Sequence, residues 1–156
     1  EMINGDWSSD VCSSDLEGYM VRVIYGKKGS GKTKKIIDLA NEAVKASTGE
    51  LVFIDDDNRY MYDLRHEVRF VNATEYNVTS PETFMGFLCG ILAGNYDMKQ
   101  LFIDGFLRLV KSDIADLEAF FARLDEITHR HGVDVVISVS AKDEETPEYL
   151  KKYIQD

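Results

Sequence analysis

The fold of this chain is decided by one loop-forming stretch, Gly26-Lys27-Lys28-Gly29-Ser30-Gly31-Lys32-Thr33. It matches the pattern G-x-x-x-x-G-K-[ST] at every specified position. Ahead of it, residues 20–25 form a short, β-branched apolar run typical of a buried strand. Behind it, residues 32–46 repeat apolar side chains at helical spacing, and Gly49 lies just beyond, where a helix stop is expected. The stretch therefore has the strand–loop–helix context that the pattern requires.

The spacing of the glycines suits the binding of an anion. Glycine at turns that need positive φ lets the backbone N–H groups of the loop point inward, and the following helix adds the positive end of its dipole. Lys32 supplies a point charge to the β- and γ-phosphates, and the Thr33 hydroxyl ligates Mg²⁺. We therefore predict a nucleotide phosphate site in which Lys32 also serves catalysis. The predicted binding residues are Gly26, Lys27, Lys28, Gly29, Ser30, Gly31, Lys32 and Thr33.

Strand-like and helix-like segments alternate along the rest of the chain. The predicted strands are 20–25, 51–54, 68–71, 101–103 and 133–139. The predicted helices are 32–46, one capped by Ser80 and Pro81, one that opens at Ser112 and closes before Gly132, and one from 148 to about 154. Alternation of this kind indicates βαβ units, and the near-continuously apolar strands indicate a sheet covered on both faces. We expect an α/β fold with three layers, α/β/α, around a mostly parallel sheet.

Size and charge exclude several classes of protein. The 156 residues fit one domain, and 18 Lys+Arg against 28 Asp+Glu give a formal net charge of −10. This acid excess argues against binding to nucleic acid or to an anionic membrane surface, because both need a basic face. No apolar run approaches the roughly 20 residues of a membrane helix, and the two cysteines, Cys12 and Cys89, give no disulfide framework.

Residues 1–19 do not share the pattern of the rest. They carry five acids, no Lys or Arg, and neither a helical nor a strand period. Residues 6–16 resemble the in-frame translation of a common sequencing adapter, and they lack the basic and apolar regions of a signal peptide. We therefore expect 1–19 to be a non-native or disordered leader, Met20 to be the true start, and 20–156 to be the nucleotide-binding domain. Removing the five acids halves the formal charge.

In its strand and helix context, the stretch 26–33 resembles the phosphate-binding loop of the P-loop NTPase superfamily. That resemblance implies ATP and Mg²⁺ as ligands, and an acid at the end of a nearby parallel strand that holds Mg²⁺ through water. Asp104, directly after residues 101–103, is preferred, because P-loop proteins usually carry this residue on the later strand. Asp55, after residues 51–54, is the alternative.

Residues 101–109 and 131–140, with a long helix between them, look like a minimal RecA-like ATPase core. In that family a polar residue on the strand beside the P-loop strand senses the γ-phosphate, and Ser138 or Ser140 holds that position, with Ser138 taken first. The family's catalytic carboxylate corresponds to residues 55–57, where Asp55 or Asp56 is expected to orient the attacking water. Gly105 departs from the family pattern, because it leaves no Asp-Glu pair of the AAA or ABC type.

The function expected from these residues is Mg-ATP binding with slow hydrolysis of ATP, in a cytoplasmic protein that needs an unidentified protein partner for full activity. Two alternatives stay open. One is a nucleotide-binding switch or degenerate ATPase without turnover. The other is a small nucleoside or nucleotide kinase, since the acids, arginines and tyrosines of residues 57–66 resemble a stretch of thymidine-kinase-like proteins. Neither nucleic acid nor membrane is expected as a partner.

Overall fold

A computed structural model describes residues 19–142 and 146–154 of the chain. Five strands form one sheet in the order β1-β5-β4-β2-β3, and every neighbouring pair is parallel. The strands are β1 (Val21–Lys27), β2 (Glu50–Asp55), β3 (Val68–Asn72), β4 (Met98–Ile103) and β5 (Asp134–Ala141). The predicted parallel α/β fold is therefore confirmed. The expected leader, residues 1–19, lies outside the described residues except for Tyr19.

Helices cover both faces of the sheet. The α-helices are α1 (Lys32–Ala46), α2 (Pro81–Gly94), α3 (Phe106–Val110) and α4 (Glu118–His131), and 3-10 helices span Met61–Asp63, Ala73–Tyr76, Ile114–Asp116 and Glu148–Tyr153. On one face, α1 packs Ile36, Ile37 and Ala40 against Leu51, Phe53, Phe102 and Val136. On the other face, α2 and α4 pack Phe84, Leu88, Phe121 and Leu124 against Val52, Ile54, Leu101 and Val135. Alternate residues of β2 thus enter opposite cores, as the period of two in a strand requires.

The long helix predicted from Ser112 begins later than expected. The structure has α3, then a 3-10 turn, and α4 starts only at Glu118. The side chains of Ser112 and of the adjacent Asp113, where the helix was expected to begin, are engaged elsewhere. The Ser112 hydroxyl donates to the carbonyl of Val110 at 3.2 Å, and the Asp113 carboxylate accepts from Lys142 at 2.7 Å.

The last predicted helix is a 3-10 helix over Glu148–Tyr153. Its buried side chains, Leu150 and Tyr153, are three residues apart. Three residues per turn place both on one face, where Tyr153 packs against Phe121 with ring centroids 5.6 Å apart. Just beyond it, Ile154 makes a parallel bridge to Val23 on the side of β1 away from β5.

The strand order determines where the site lies. Since all strands are parallel, their carboxyl ends meet at one edge of the sheet, where open α/β sheets bind ligands. β5 lies between β1 and β4, and Gly26 pairs with Ser140 in register. This placement beside the P-loop strand agrees with the RecA-like resemblance. None of the helices in the described residues combines the length and apolar character that a membrane crossing requires.

Candidate functional site

The loop that joins β1 to α1 depends on its glycines. Gly29 and Gly31 have φ values of +84° and +91°, which side chains of L-residues rarely tolerate. At Gly26 the constraint is space, because a Cβ there would lie 2.7 Å from the Ser30 hydroxyl oxygen. The turn closes with the Ser30 N–H donating to the Lys27 carbonyl at 3.0 Å. The local structure therefore favours glycine at each of the three positions, and this loop conformation agrees with an anion-binding loop.

Lys32 stands at the first turn of α1 and faces the loop. Its ammonium donates to the Lys27 carbonyl at 2.9 Å. Burial lowers the pKa of Lys32; the Asp104 charge opposes this shift and the Arg108 charge adds to it. A partly desolvated ammonium that donates to a neutral carbonyl is well suited to exchange that partner for an anionic phosphate.

Asp104 joins three elements at the carboxyl end of β4. It is 4% exposed, and its backbone N–H donates to the Ile54 carbonyl at 2.9 Å. Its Oδ2 accepts from the Thr33 hydroxyl at 3.1 Å, and its Oδ1 accepts from the Ser138 hydroxyl in a short contact. The structure thus brings together Thr33, Asp104 and Ser138, three residues selected from the sequence.

This oxygen set fits a magnesium ion in its chemistry. Mg²⁺ prefers hard oxygen ligands, keeps several waters, and is bound in proteins by one or two such groups together with substrate phosphates. The Thr33 hydroxyl uses its proton toward Asp104, which leaves its oxygen lone pairs available to a cation. Asp104 is held in place by two hydroxyls and can accept from a water of the ion's shell.

Asp55 and Asp56, the two predicted catalytic carboxylates, have opposite environments. Asp55 is 1% exposed, and the Asp56 N–H donates to its Oδ1 at 2.7 Å. Burial, helped by its contact with the Asp56 carboxylate and by the Asp104 charge, raises the pKa of Asp55 to about 8. At neutral pH the structure therefore favours a neutral Asp55, which can donate a proton but cannot accept one.

Asp56 remains ionised because of Arg108. The Arg108 Nε donates to Asp56 Oδ2 at 2.6 Å, and Nη2 donates to Oδ1 at 3.1 Å. Burial opposes the charged form, but the bonds and charge of Arg108, together with the contact with Asp55, hold the pKa of Asp56 below its usual value. Asp57 instead pairs with Arg59, whose Nη2 lies 3.0 Å from Oδ2.

Gly105 explains why no acid directly follows Asp104. Its φ is +68°, and a Cβ built there would lie 2.5 Å from Asp56 Oδ1 and 3.0 Å from Arg108 Nη2. The Asp56 carboxylate thus occupies the space that a side chain at position 105 would need. The carboxylate beside this turn therefore comes from Asp56, which directly follows the neighbouring strand β2.

A cavity of about 370 Å³ opens in front of these groups. It is lined by Lys28, Gly29, Gly31, Lys32, Thr33, Arg59, Tyr60, Asp104, Gly105, Phe106, Leu107, Arg108, Ser138 and Ser140. In the sequence, Arg59 and Tyr60 were assigned to a segment that resembles thymidine-kinase-like proteins, but they were not placed beside the loop, and Arg108 was not selected. A larger cavity of about 490 Å³ lies between α2 and α4, away from the loop, so the smaller one is the candidate site.

No protein-family model matches the chain, and no curated protein matches it. Among solved structures, the chain is similar to the flagellar accessory protein FlaH from Methanocaldococcus jannaschii, with 14% sequence identity and a TM-score of 0.48. The match covers 86% of this chain and 66% of that chain, so this chain spans less than two thirds of its neighbour's length. A similarity this low carries no inference about ligand or activity, for which the evidence is the geometry of the site.

Proposed function

We propose that the chain binds Mg-ATP at residues 26–33. The observation that supports the proposal is the hydrogen bond between Thr33 and Asp104, because it brings together two oxygen-bearing side chains of the kind that Mg²⁺ prefers, one of them adjacent to Lys32 in the loop. A phosphate loop without this acid would be an anion site only. With it, the site can take a nucleotide together with its magnesium ion.

In this proposal the backbone N–H groups of residues 27–33 bind the β- and γ-phosphates. Lys32 leaves the Lys27 carbonyl and contacts the same oxygens, since a charged partner is stronger than a neutral one. Thr33 and Asp104 would hold the magnesium ion, which would supply positive charge to the phosphate oxygens. Ser138 keeps Asp104 oriented.

Slow hydrolysis of ATP follows if water attacks the γ-phosphate. Asp56 is the better candidate than Asp55 to orient that water, because its environment keeps it ionised at neutral pH. Its present bonds to Arg108 occupy both carboxylate oxygens, which supports a low intrinsic rate. An arginine supplied by a partner protein would raise such a rate by about 10³–10⁵.

Two observations support the alternatives. The bidentate Asp56–Arg108 pair suits a nucleotide-binding switch without turnover, since it blocks the candidate base. Arg59 and Tyr60 line the cavity and belong to the segment that resembles thymidine-kinase-like proteins, which suits a phosphoryl acceptor. Turnover measurements separate these functions from hydrolysis.

Calorimetry with ATP, GTP and ADP in the presence of Mg²⁺ tests the binding proposal on the wild type, Lys32→Ala and Lys45→Ala. Lys45 lies on the same helix and contacts only Glu42, at 3.5 Å, among its described ion pairs. We expect Lys32→Ala to weaken ATP binding about 10- to 100-fold, and Lys45→Ala to bind like the wild type. Equal binding by the wild type and Lys32→Ala, or none by the wild type, would contradict the proposal.

Phosphate release with and without nucleosides then distinguishes the three functions. Release that needs only ATP indicates an ATPase. A phosphorylated nucleoside indicates a kinase. Binding without product under either condition indicates a switch.

A further inference from the structure

We propose that Arg108 is the residue that distinguishes ATP from ADP, and that Asp56 holds this arginine until a γ-phosphate replaces it. The inference rests on the proposed function, because it assumes that a nucleotide enters the loop. It goes beyond that function because it names two side chains outside the sequence motif that make the site prefer a triphosphate to a diphosphate. The same two side chains set the energetic cost of binding the triphosphate.

The position of Arg108 supports the assignment. It lies on α3, directly after the end of β4, and lines the same cavity as Lys32 and Thr33. Its charge is close enough to lower the pKa of Lys32. Its side chain is 58% exposed, so the guanidinium can turn toward the cavity without breaking the core.

In the proposed exchange, Arg108 replaces one pair of anionic oxygen partners with another pair. Arg108 gives Asp56 two charge-assisted bonds, and a γ-phosphate offers the same fork of anionic oxygens to a guanidinium. ADP has no γ-phosphate and leaves the ion pair as it is. ATP binding must therefore break the pair, and ADP binding need not.

The side chain of Asp56 is only 15% exposed, so an unpartnered carboxylate there would be destabilised. Release of Arg108 therefore has a cost, which the bonds between the guanidinium and the γ-phosphate must exceed.

The test measures the affinity for Mg-ADP and for the Mg²⁺ complex of the β,γ-imido analogue of ATP, by calorimetry. For Arg108→Gln we expect the affinity for the analogue to fall about tenfold while that for ADP changes less than about twofold. For Asp56→Asn we expect the affinity for the analogue to rise, because the competing partner is weakened, and that for ADP to stay constant. The double variant should bind like Arg108→Gln, since Asp56 acts only through Arg108.

Two neighbours provide matched controls. Lys34 and Asp38 form an exposed ion pair at 2.9 Å on α1, and neither lines this cavity, so Lys34→Gln and Asp38→Asn make the same charge changes close by. If the effect belongs to Arg108 and Asp56, these controls leave the ratio of the two affinities unchanged. An equal change of the ratio in the controls would show a general field effect and overturn the inference.

A spectroscopic readout follows the arginine directly. The Arg108 Nε–H, bonded to Asp56 at 2.6 Å, should give a distinct guanidinium proton–nitrogen NMR signal that Asp56→Asn shifts. We expect the analogue of ATP to shift this signal and ADP to leave it. If the wild type binds both nucleotides and Arg108→Gln changes neither affinity, or both by one factor, this inference alone is overturned. If the wild type binds neither, the proposed function is wrong and the inference falls with it.

Discussion

The Thr33 hydroxyl donates a hydrogen bond to Asp104 Oδ2 at 3.1 Å, and this bond ties the first turn of α1 to the end of β4. Its partner Asp104 is buried and is also held by Ser138. The two residues that would hold a magnesium ion are therefore positioned before any ligand arrives, which reduces the ordering cost of binding.

Replacing Thr33 with valine keeps the shape of the side chain and removes its oxygen. Without Mg²⁺, we expect Thr33→Val to bind ATP like the wild type. With Mg²⁺, we expect the gain in ATP affinity to be smaller than in the wild type by a factor of about ten or more, because a metal ligand is missing. Calorimetry with Mg²⁺ and with a chelator measures both. Thr128→Val is the control, since Thr128 is buried in α4 and bonds to the Leu124 carbonyl. An unchanged magnesium effect in Thr33→Val would remove Thr33 from the metal site.

Adding a methyl group at Gly105 should destabilise the chain more than adding one at Gly132. Both glycines have positive φ, +68° and +67°, so alanine costs roughly 1–2 kcal/mol of backbone strain at either position. Only at Gly105 does the new Cβ meet another group, Asp56 Oδ1 at 2.5 Å. We expect Gly105→Ala to lose about 1–3 kcal/mol more in the free energy of unfolding than Gly132→Ala.

Urea unfolding measures this difference. Combining Gly105→Ala with Asp56→Ala removes the clash, so the double variant should lose less than the sum of the two single changes. Equal losses for Gly105→Ala and Gly132→Ala would show that Asp56 does not occupy the space next to Gly105.

We expect Asp55 to make the free energy of unfolding depend on pH. The dependence should lie between the pKa of Asp55 in the unfolded chain and its pKa in the folded chain. The pKa of Asp55 rises from 3.8 to about 8 on folding, mainly through burial. The folded chain therefore binds more protons than the unfolded chain in this window, and stability falls as the pH rises from about 4 to about 8. Asn at this position has no proton to lose, so Asp55→Asn should gain stability relative to the wild type across the same window.

The free energy of unfolding in urea, measured from pH 5 to pH 9, tests this expectation. Asp97→Asn, a substitution of the same chemistry at an exposed position, controls for the change of residue. Parallel curves for the wild type and Asp55→Asn would show that Asp55 has the same charge in the folded and unfolded chain.

The contacts of residue 19 predict how removal of residues 1–19 affects the chain. The Tyr19 ring meets Tyr153 edge-on with centroids 5.0 Å apart, and the Lys152 ammonium lies 5.4 Å from the Tyr19 ring. A chain that begins at Met20 should bind Mg-ATP like the full chain and lose about 0.5–1.5 kcal/mol of stability. Tyr19→Ala in the full chain should reproduce that loss. A larger loss on removal than in Tyr19→Ala would show that residues 1–18 contribute to the fold.

Much of this architecture could be predicted because it is local. Strand ends, glycine spacing and helical periodicity identify β1, α1 and β4 from adjacent residues. The loop motif led to Thr33, whereas the choice of Asp104 over Asp55 came from the family resemblance. The helix α3 could not be identified this way, because Phe106-Leu107-Arg108-Leu109-Val110 is too short and too apolar to show a helical period. The start of α4 was missed because Ser112 and Asp113 bond to groups outside the helix.

The pairing of Asp56 with Arg108 was not predictable for a different reason. The two residues are 52 positions apart, and they meet only because β2 and β4 are neighbours in the sheet. Gly105 was noted in the sequence as a departure from a family pattern, and the structure explains this glycine by the Asp56 carboxylate.

The long separations within the site have a consequence for folding. Thr33 and Asp104 are 71 positions apart, Arg108 and Asp56 are 52, and Ser138 and Asp104 are 34. No fragment that lacks β2, β4 or β5 can bring these groups together, so a nucleotide bound as proposed would stabilise the chain only when those strands are paired. At a hundredfold excess over its dissociation constant such a ligand adds about 2.7 kcal/mol to the cost of global unfolding. Amide hydrogen exchange should therefore slow in β2 and β5 as well as in the loop that touches the phosphates.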